Sequence, residues 1–282
     1  MSSKVSIHTL HEMKERGERI AMLTAYDYPS GQLADASGAD VILVGDSLGM
    51  VVHGFETTIP VTMDMMVLHC AATRRGVKHA LLVGDMPFGS YQTDIATAKR
   101  NAARLLQEGG VDAVKLEGGE FMADTVCKIV EMGIAVHGHI GLTPQSVSAF
   151  GGFKVQGKTV DVAKQLVKDA LAIQDAGAFA IVLEGIPSRL ARLISEKLTI
   201  PTIGIGAGAG CDGQVLVFHD LLGLFADFTP KFVKKYAHLR DDIVGALEQY
   251  NSEVRAGTFP TAEHEYTLSD DVWQRLKDEL AE

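Results

Sequence analysis

Two stretches of the chain, DVILVGDSLG (Asp40–Gly49) and HALLVGDMPFG (His79–Gly89), each run through apolar residues to Val-Gly-Asp and then break into a loop. Each delivers a carboxylate, Asp46 or Asp85, at the end of a segment that reads as a buried strand. A carboxylate is costly to bury unless it is paired or bound. Three further apolar runs end the same way. Lys115 and Glu117 flank Leu116, His137 and His139 close the next run, and Glu184 closes the one after. Residues two apart on a strand share a face, so Lys115 projects with Glu117 and His137 with His139. A single strand-end Asp is as well explained by a turn or a cap. Five successive runs ending in ionisable groups are harder to assign to turns.

Asp and Glu without a Cys/His cluster favour a hard cation that prefers oxygen. Mg²⁺ keeps several waters and takes one or two protein carboxylates plus substrate oxygens. Asp46 and Asp85 fit that sparse pattern, and Glu117 would join directly or through water. A 2-oxo acid completes it, because its carboxylate and keto oxygens form a chelating pair. The metal would then act as a Lewis acid toward an enolate, and Lys115 would meet the substrate carboxylate as a point charge. Glu184, between AFAIVL and GIPS, would be the base, its basicity helped by burial. The bland alternatives are a charge network at the mouth of the fold and, for Glu184, an ordinary carboxylate at a helix start.

The elements that must position these groups follow from the hydrophobic pattern. Short apolar runs recur at Ile20–Thr24, Val41–Val44, Ala80–Val83, Val111–Leu116, Ile134–His139, Phe179–Leu183, Thr202–Ile205 and Leu221–Phe225. Continuous runs of this length fit parallel strands buried on both faces. Between them lie helix patterns over Thr62–Gly76, Asp94–Glu108, Glu120–Gly133, Thr159–Gly177 and Ser188–Lys197, several with a capping residue before and a Gly after. Eight strands alternating with helices predict a (β/α)₈ TIM barrel, with a doubly wound open sheet as the rival. The expected organisation is one barrel domain over 1–282, with an N-terminal helical segment and a C-terminal helix plus tail. In that helix Ile243, Ala246, Leu247, Tyr250 and Val254 form an apolar stripe.

The 282 residues suffice for a full core. A net charge of −10 argues against nucleic acid or an anionic membrane surface as partner. Cys70, Cys127 and Cys211 lack CxxC spacing and read as reduced thiols. The first twenty residues have no apolar signal core, and no segment approaches the ~20 apolar residues of a membrane span. A cytoplasmic protein is expected. The Gly-rich stretch from Gly204 to Gly213 matches GxGxxA at Gly204, Gly206 and Ala209. It comes late in the chain, so close backbone approach is favoured over dinucleotide binding.

LTAYDYPSG, ILVGDSLG, TTIPVTMDMM, LLVGDMPFGSY, VKLEGG, GHIGLTPQSV, IVLEGIPSRL and PTIGIGAGAGCDGQVLV, in this order over about Ile20 to Tyr266, resemble the ketopantoate hydroxymethyltransferase family. The resemblance implies a barrel of the phosphoenolpyruvate/isocitrate-lyase type and an early step of pantothenate, hence coenzyme A, biosynthesis. It implies methylene-tetrahydrofolate as one-carbon donor, 3-methyl-2-oxobutanoate as acceptor and ketopantoate as product, with Mg²⁺ and a homodecamer. By motif, Asp46 and Asp85 would bind metal and oxo acid, and Ser47 and Lys115 the substrate. Glu117 would bind metal, Glu184 would accept the proton, and His139 would line the pocket. His137 departs from the pattern, where a non-ionisable residue such as Met is expected.

Three other functions compete. Another Mg²⁺ barrel that makes or breaks a C–C or P–C bond in an oxo acid would need no folate. A dinucleotide oxidoreductase would use Gly204–Ala209. A non-catalytic scaffold would leave clustered carboxylates to repel one another.

Overall fold

The chain is described from a computed structural model, which covers residues 4–146, 152, 155–225 and 229–281. Eight parallel strands close into a barrel in sequence order. They are β1 (Ile20–Thr24), β2 (Val41–Val44), β3 (Leu81–Asp85), β4 (Ala113–Glu117), β5 (Val136–Gly141), β6 (Ala180–Glu184), β7 (Thr202–Ile205) and β8 (Gly213–Leu216). Closure, with β1 pairing to both β2 and β8, excludes the open doubly wound sheet.

The eighth strand is not where the hydrophobic pattern puts it. Leu221–Phe225 was the expected run, but Phe218–Leu221 forms a short helix and a turn follows. The strand that closes the barrel is Gly-Gln-Val-Leu, which has too few apolar residues to stand out. Gly213 opens it because a Cβ there would come within 2.5 Å of the Ile20 carbonyl oxygen. The Gly-rich stretch therefore packs against protein. No helix starts between β7 and β8, so the helix N-terminus that a dinucleotide fingerprint uses is missing.

The helices keep close to their expected bounds. Met63–Gly76 is capped by Thr62, whose hydroxyl accepts the Met65 N–H, and Ile95–Gln107 is capped by Asp94. Glu120–Met122 is a 3₁₀ turn leading into Ala123–Val130. Val160–Asp175 is capped by Thr159. Ser188–Lys197 begins after Pro187, and the Ser188 side chain does not cap it. Ile7–Glu15 precedes the barrel.

Two apolar layers decide which side chains face the barrel axis. Val41, Leu43, Leu81, Val83, Ala113, Ala180, Val182, Ile203 and Val215 form the interior cluster, joined by Leu10 and Met13 of the first helix. The alternate residues, such as Ile42, Leu82, Val114, Leu116, Val136, Ile140, Ile181 and Leu183, pack outward against the helices. Period-two alternation then turns Asp85, Lys115, Glu117, His137, His139 and Glu184 inward.

The chain divides into two compact units, Met1–Tyr236 and Ala237–Glu282. The second carries the helix Leu239–Ala256, with the expected apolar stripe, and a further helix, Asp270–Leu280, within the stretch expected as a tail. Among the described residues no helix is long and apolar enough to cross a membrane. All three cysteines are unpaired.

Candidate active site

The inward groups meet at the C-terminal ends of β2 to β6, the end where barrels of this kind place their chemistry. Strand register sets neighbours side by side: Asp85 beside Lys115, Lys115 beside His137, and Glu117 beside His139. Asp46 lies two residues past β2 and, like Asp85, Lys115, Glu117, His137 and His139, is buried. The Asp46 N–H donates to Asp85 Oδ2 at 3.1 Å. The Lys115 ammonium is hydrogen-bonded to Asp85 Oδ1. Ser47 Oγ is 2.9 Å from the Tyr26 hydroxyl.

Glu184 closes β6 and keeps 16% of its side chain exposed, so it borders the open side of the site. It is not sealed in an apolar wall. His139 lies between two acids instead, with Nε2 3.2 Å from Glu184 Oε2 and Nδ1 3.5 Å from Glu117 Oε1.

The charges are strongly unbalanced. Burial, then the charges of Asp85 and Glu117, push the Asp46 carboxyl well above its ordinary range. Burial raises Asp85 too, with Lys115 opposing. Burial works against the charge on Lys115, but Asp85, Glu117 and Asp46 more than offset it, so the amine holds its proton tightly. His139 is also disfavoured as a cation by burial and by Lys115, yet Glu117 and Glu184 bring it up to about 9. His137 has only burial, Lys115 and His139 to respond to, and falls to about 3. It is a neutral ring packed against Phe179, which fits a position where a non-ionisable residue was expected.

This imbalance tests whether a divalent cation suits the residues present. Three buried carboxylates share one lysine, and among the described residues the buried Glu117 Oε1 has no hydrogen-bond partner. The donors are all oxygen. Among the described residues no three His, Cys, Asp or Glu side chains form a ready-made cage. Mg²⁺ needs none, since it is held by one or two carboxylates, waters and substrate. The residues fit such an ion.

A stability prediction follows for the metal-free protein. A carboxyl whose pKa is higher folded than unfolded lowers stability progressively as pH rises from ~3.9, and by its full amount above the folded value. Asp46→Asn removes that cost and still offers an amide oxygen to Gln145. Its melting temperature at pH 7 without Mg²⁺ should exceed that of the unmodified protein by about 2 °C or more. The gap should shrink as pH approaches 4, as thermal melts at both pH values will show.

Two further residues join the site that strand-end reasoning passed over. Gln145, in the 3₁₀ turn after β5, donates from Nε2 to Asp46 Oδ2 at 2.9 Å and from its backbone N–H to Glu117 Oε2 at 3.0 Å. The Tyr91 hydroxyl accepts the Glu117 N–H at 3.0 Å. Each lies six residues beyond a site residue, His139 or Asp85. Loop polarity alone does not distinguish a buried Gln from a solvated one.

Residues 4–262 match the model of the ketopantoate hydroxymethyltransferase family. The chain belongs to the ketopantoate hydroxymethyltransferase family. Proteins named 3-methyl-2-oxobutanoate hydroxymethyltransferase are similar to it along nearly their whole length. That of Moorella thermoacetica is 58% identical over 264 residues, 94% of this chain and 98% of that protein. That of Carboxydothermus hydrogenoformans is 55% identical over 273 residues, 97% of this chain and 99% of that protein. Among solved structures, phosphonopyruvate hydrolase in complex with oxalate and Mg²⁺ superposes with a TM-score of 0.58 at 12% identity, covering 98% of this chain and 96% of that one. For 2,3-dimethylmalate lyase, a PEP mutase/isocitrate lyase superfamily member, the TM-score is 0.57 at 16% identity, covering 99% and 100%. These solved structures share the fold of this barrel.

Proposed function

We propose that the protein transfers a hydroxymethyl group from methylene-tetrahydrofolate to 3-methyl-2-oxobutanoate, giving ketopantoate for pantothenate and coenzyme A biosynthesis. The observation that carries this is the convergence of Asp46, Asp85, Lys115, Glu117 and Glu184 at one barrel mouth, in a chain 55–58% identical to enzymes named for that reaction.

Asp46, Asp85 and Glu117 would hold Mg²⁺. A divalent ion held there would supply Lewis acidity toward the keto oxygen of the oxo acid. Lys115, fixed by Asp85, places a positive charge where the substrate carboxylate binds. Ser47, positioned by Tyr26, offers a hydroxyl to the same substrate. Glu184 takes the proton from the carbon beside the keto group, and that carbon then bonds to the folate-borne methylene. Both C–N bonds that hold the methylene to folate break in the process: water supplies the hydroxyl, and its second proton, with the one that Glu184 removed, ends on the two folate nitrogens. His139, cationic between Glu117 and Glu184, holds Glu184 toward the substrate by charge. The proposal includes a cytoplasmic setting, in keeping with three unpaired thiols, and a homodecamer.

Turnover assays separate this from a lyase or phosphonate chemistry on the same barrel. Ketopantoate should form from 3-methyl-2-oxobutanoate only when methylene-tetrahydrofolate and Mg²⁺ are both present. Failure to form it, with cleavage of an oxo-acid C–C or P–C bond in the absence of folate, would contradict the assignment.

A further inference from the structure

We propose that Gln145 is a positioning residue that orients the acidic groups of Asp46 and Glu117 for the oxo acid and its divalent ion; this rests on the function proposed above. Gln145 is buried at the start of the loop after β5, and every polar atom of its carboxamide is used. Nε2 donates to Asp46 Oδ2 and to the Met86 carbonyl, both at 2.9 Å. Oε1 accepts from the Tyr91 hydroxyl at 2.8 Å and from Gln92 Nε2 at 2.9 Å. With two acceptors on one side and two donors on the other, the amide has one acceptable orientation. A flip would set its oxygen against a carboxylate and a carbonyl.

The same residue reaches two acids from different strands. Its side chain holds Asp46, beyond β2, and its backbone N–H holds Glu117, at the end of β4. These two carboxylates repel each other, and among the described residues Lys115 is hydrogen-bonded to Asp85 and to neither of them. Gln145 is the neutral donor that fixes one oxygen of each. Tyr91 sets the carboxamide from behind while it also accepts the Glu117 N–H. Removing the Gln145 side-chain donor leaves Asp46 free to rotate away from the position at which it would meet an ion.

Two variants test this in the intact protein. Gln145→Glu keeps shape and the acceptor for Tyr91 but replaces the donor with an acceptor. Gln145→Met keeps volume and removes both. Calorimetric titration with 3-methyl-2-oxobutanoate, with and without Mg²⁺, should give Mg²⁺-dependent affinity about 10- to 100-fold weaker in both, the usual cost of losing a residue that orients a metal-binding group. KM should rise more than kcat falls, because Gln145 does not touch Glu184. Gln145→Glu should melt lower than wild type without ligand, because it sets a second buried carboxyl against Asp46, so Gln145→Met is the variant that separates positioning from stability. Tyr91→Phe should weaken binding a few-fold through the loosened carboxamide. Wild-type affinity in either folded Gln145 variant, or a lower kcat with unchanged KM, would overturn the inference and leave the proposed function standing. Wild-type protein that shows no Mg²⁺-dependent binding of the oxo acid would remove both.

Discussion

Glu184→Gln should bind 3-methyl-2-oxobutanoate as wild type does and exchange its C3 proton with solvent about 10²- to 10⁴-fold more slowly, the range a positioned general base contributes. The substitution is nearly isosteric, and the glutamine oxygen can still face His139 Nε2, now 3.2 Å from Glu184. Alternation along β6 turns residue 184 inward beside Ala180 and Val182, so the variant keeps its place at the mouth. Only the capacity to take a proton is lost. Proton NMR in D₂O reads it directly, through disappearance of the methine signal and collapse of the methyl doublet. Unchanged exchange in the variant would remove Glu184 from the role of base.

Asp85→Ala should have two separable effects. Loss of its carboxylate should weaken Mg²⁺-dependent oxo-acid binding by 100-fold or more, at about the upper limit for orienting partners, because a direct ligand is lost. It also strips Lys115 of its hydrogen-bonded counter-ion inside the barrel. Breaking a buried pair by removing one member costs about 3–5 kcal/mol. Here the lower end is expected, because Asp46 and Glu117 still oppose the ammonium charge. The double variant Asp85→Ala/Lys115→Met should regain most of the stability and none of the binding. Denaturant unfolding and calorimetry on the same samples distinguish the two effects. Wild-type oxo-acid affinity in the single variant would refute a metal held by Asp85.

The contrast between these effects reflects what a strand pattern can carry. Period-two alternation and continuous apolar runs placed Asp85, Lys115, Glu117, His139 and Glu184 at strand ends with their directions, because a strand buried on both faces leaves few other arrangements. Seven of the eight strands announce themselves this way. The eighth, Gly213–Leu216, takes its place from closure with β1 and β7 rather than from its own composition. The run Leu221–Phe225 is as apolar as a strand and misleads for that reason, although only Leu221 of it belongs to a regular element, the short helix Phe218–Leu221. Gln145 and Tyr91 were opaque for a different cause. Their role depends on which loops meet above the barrel, and neither residue type signals burial. The opposite responses of His137 and His139 also escape pattern. Both face inward from β5, but only His139 meets Glu117 and Glu184.

Diffraction from crystals soaked with MgCl₂ and 3-methyl-2-oxobutanoate tests the central claim most directly. The account predicts one ion bounded by Asp46 and Asp85, with the oxo acid lying between Lys115 and Glu184. An oxo acid bound elsewhere, or Asp46 and Asp85 turned apart with no ion between them, would contradict it.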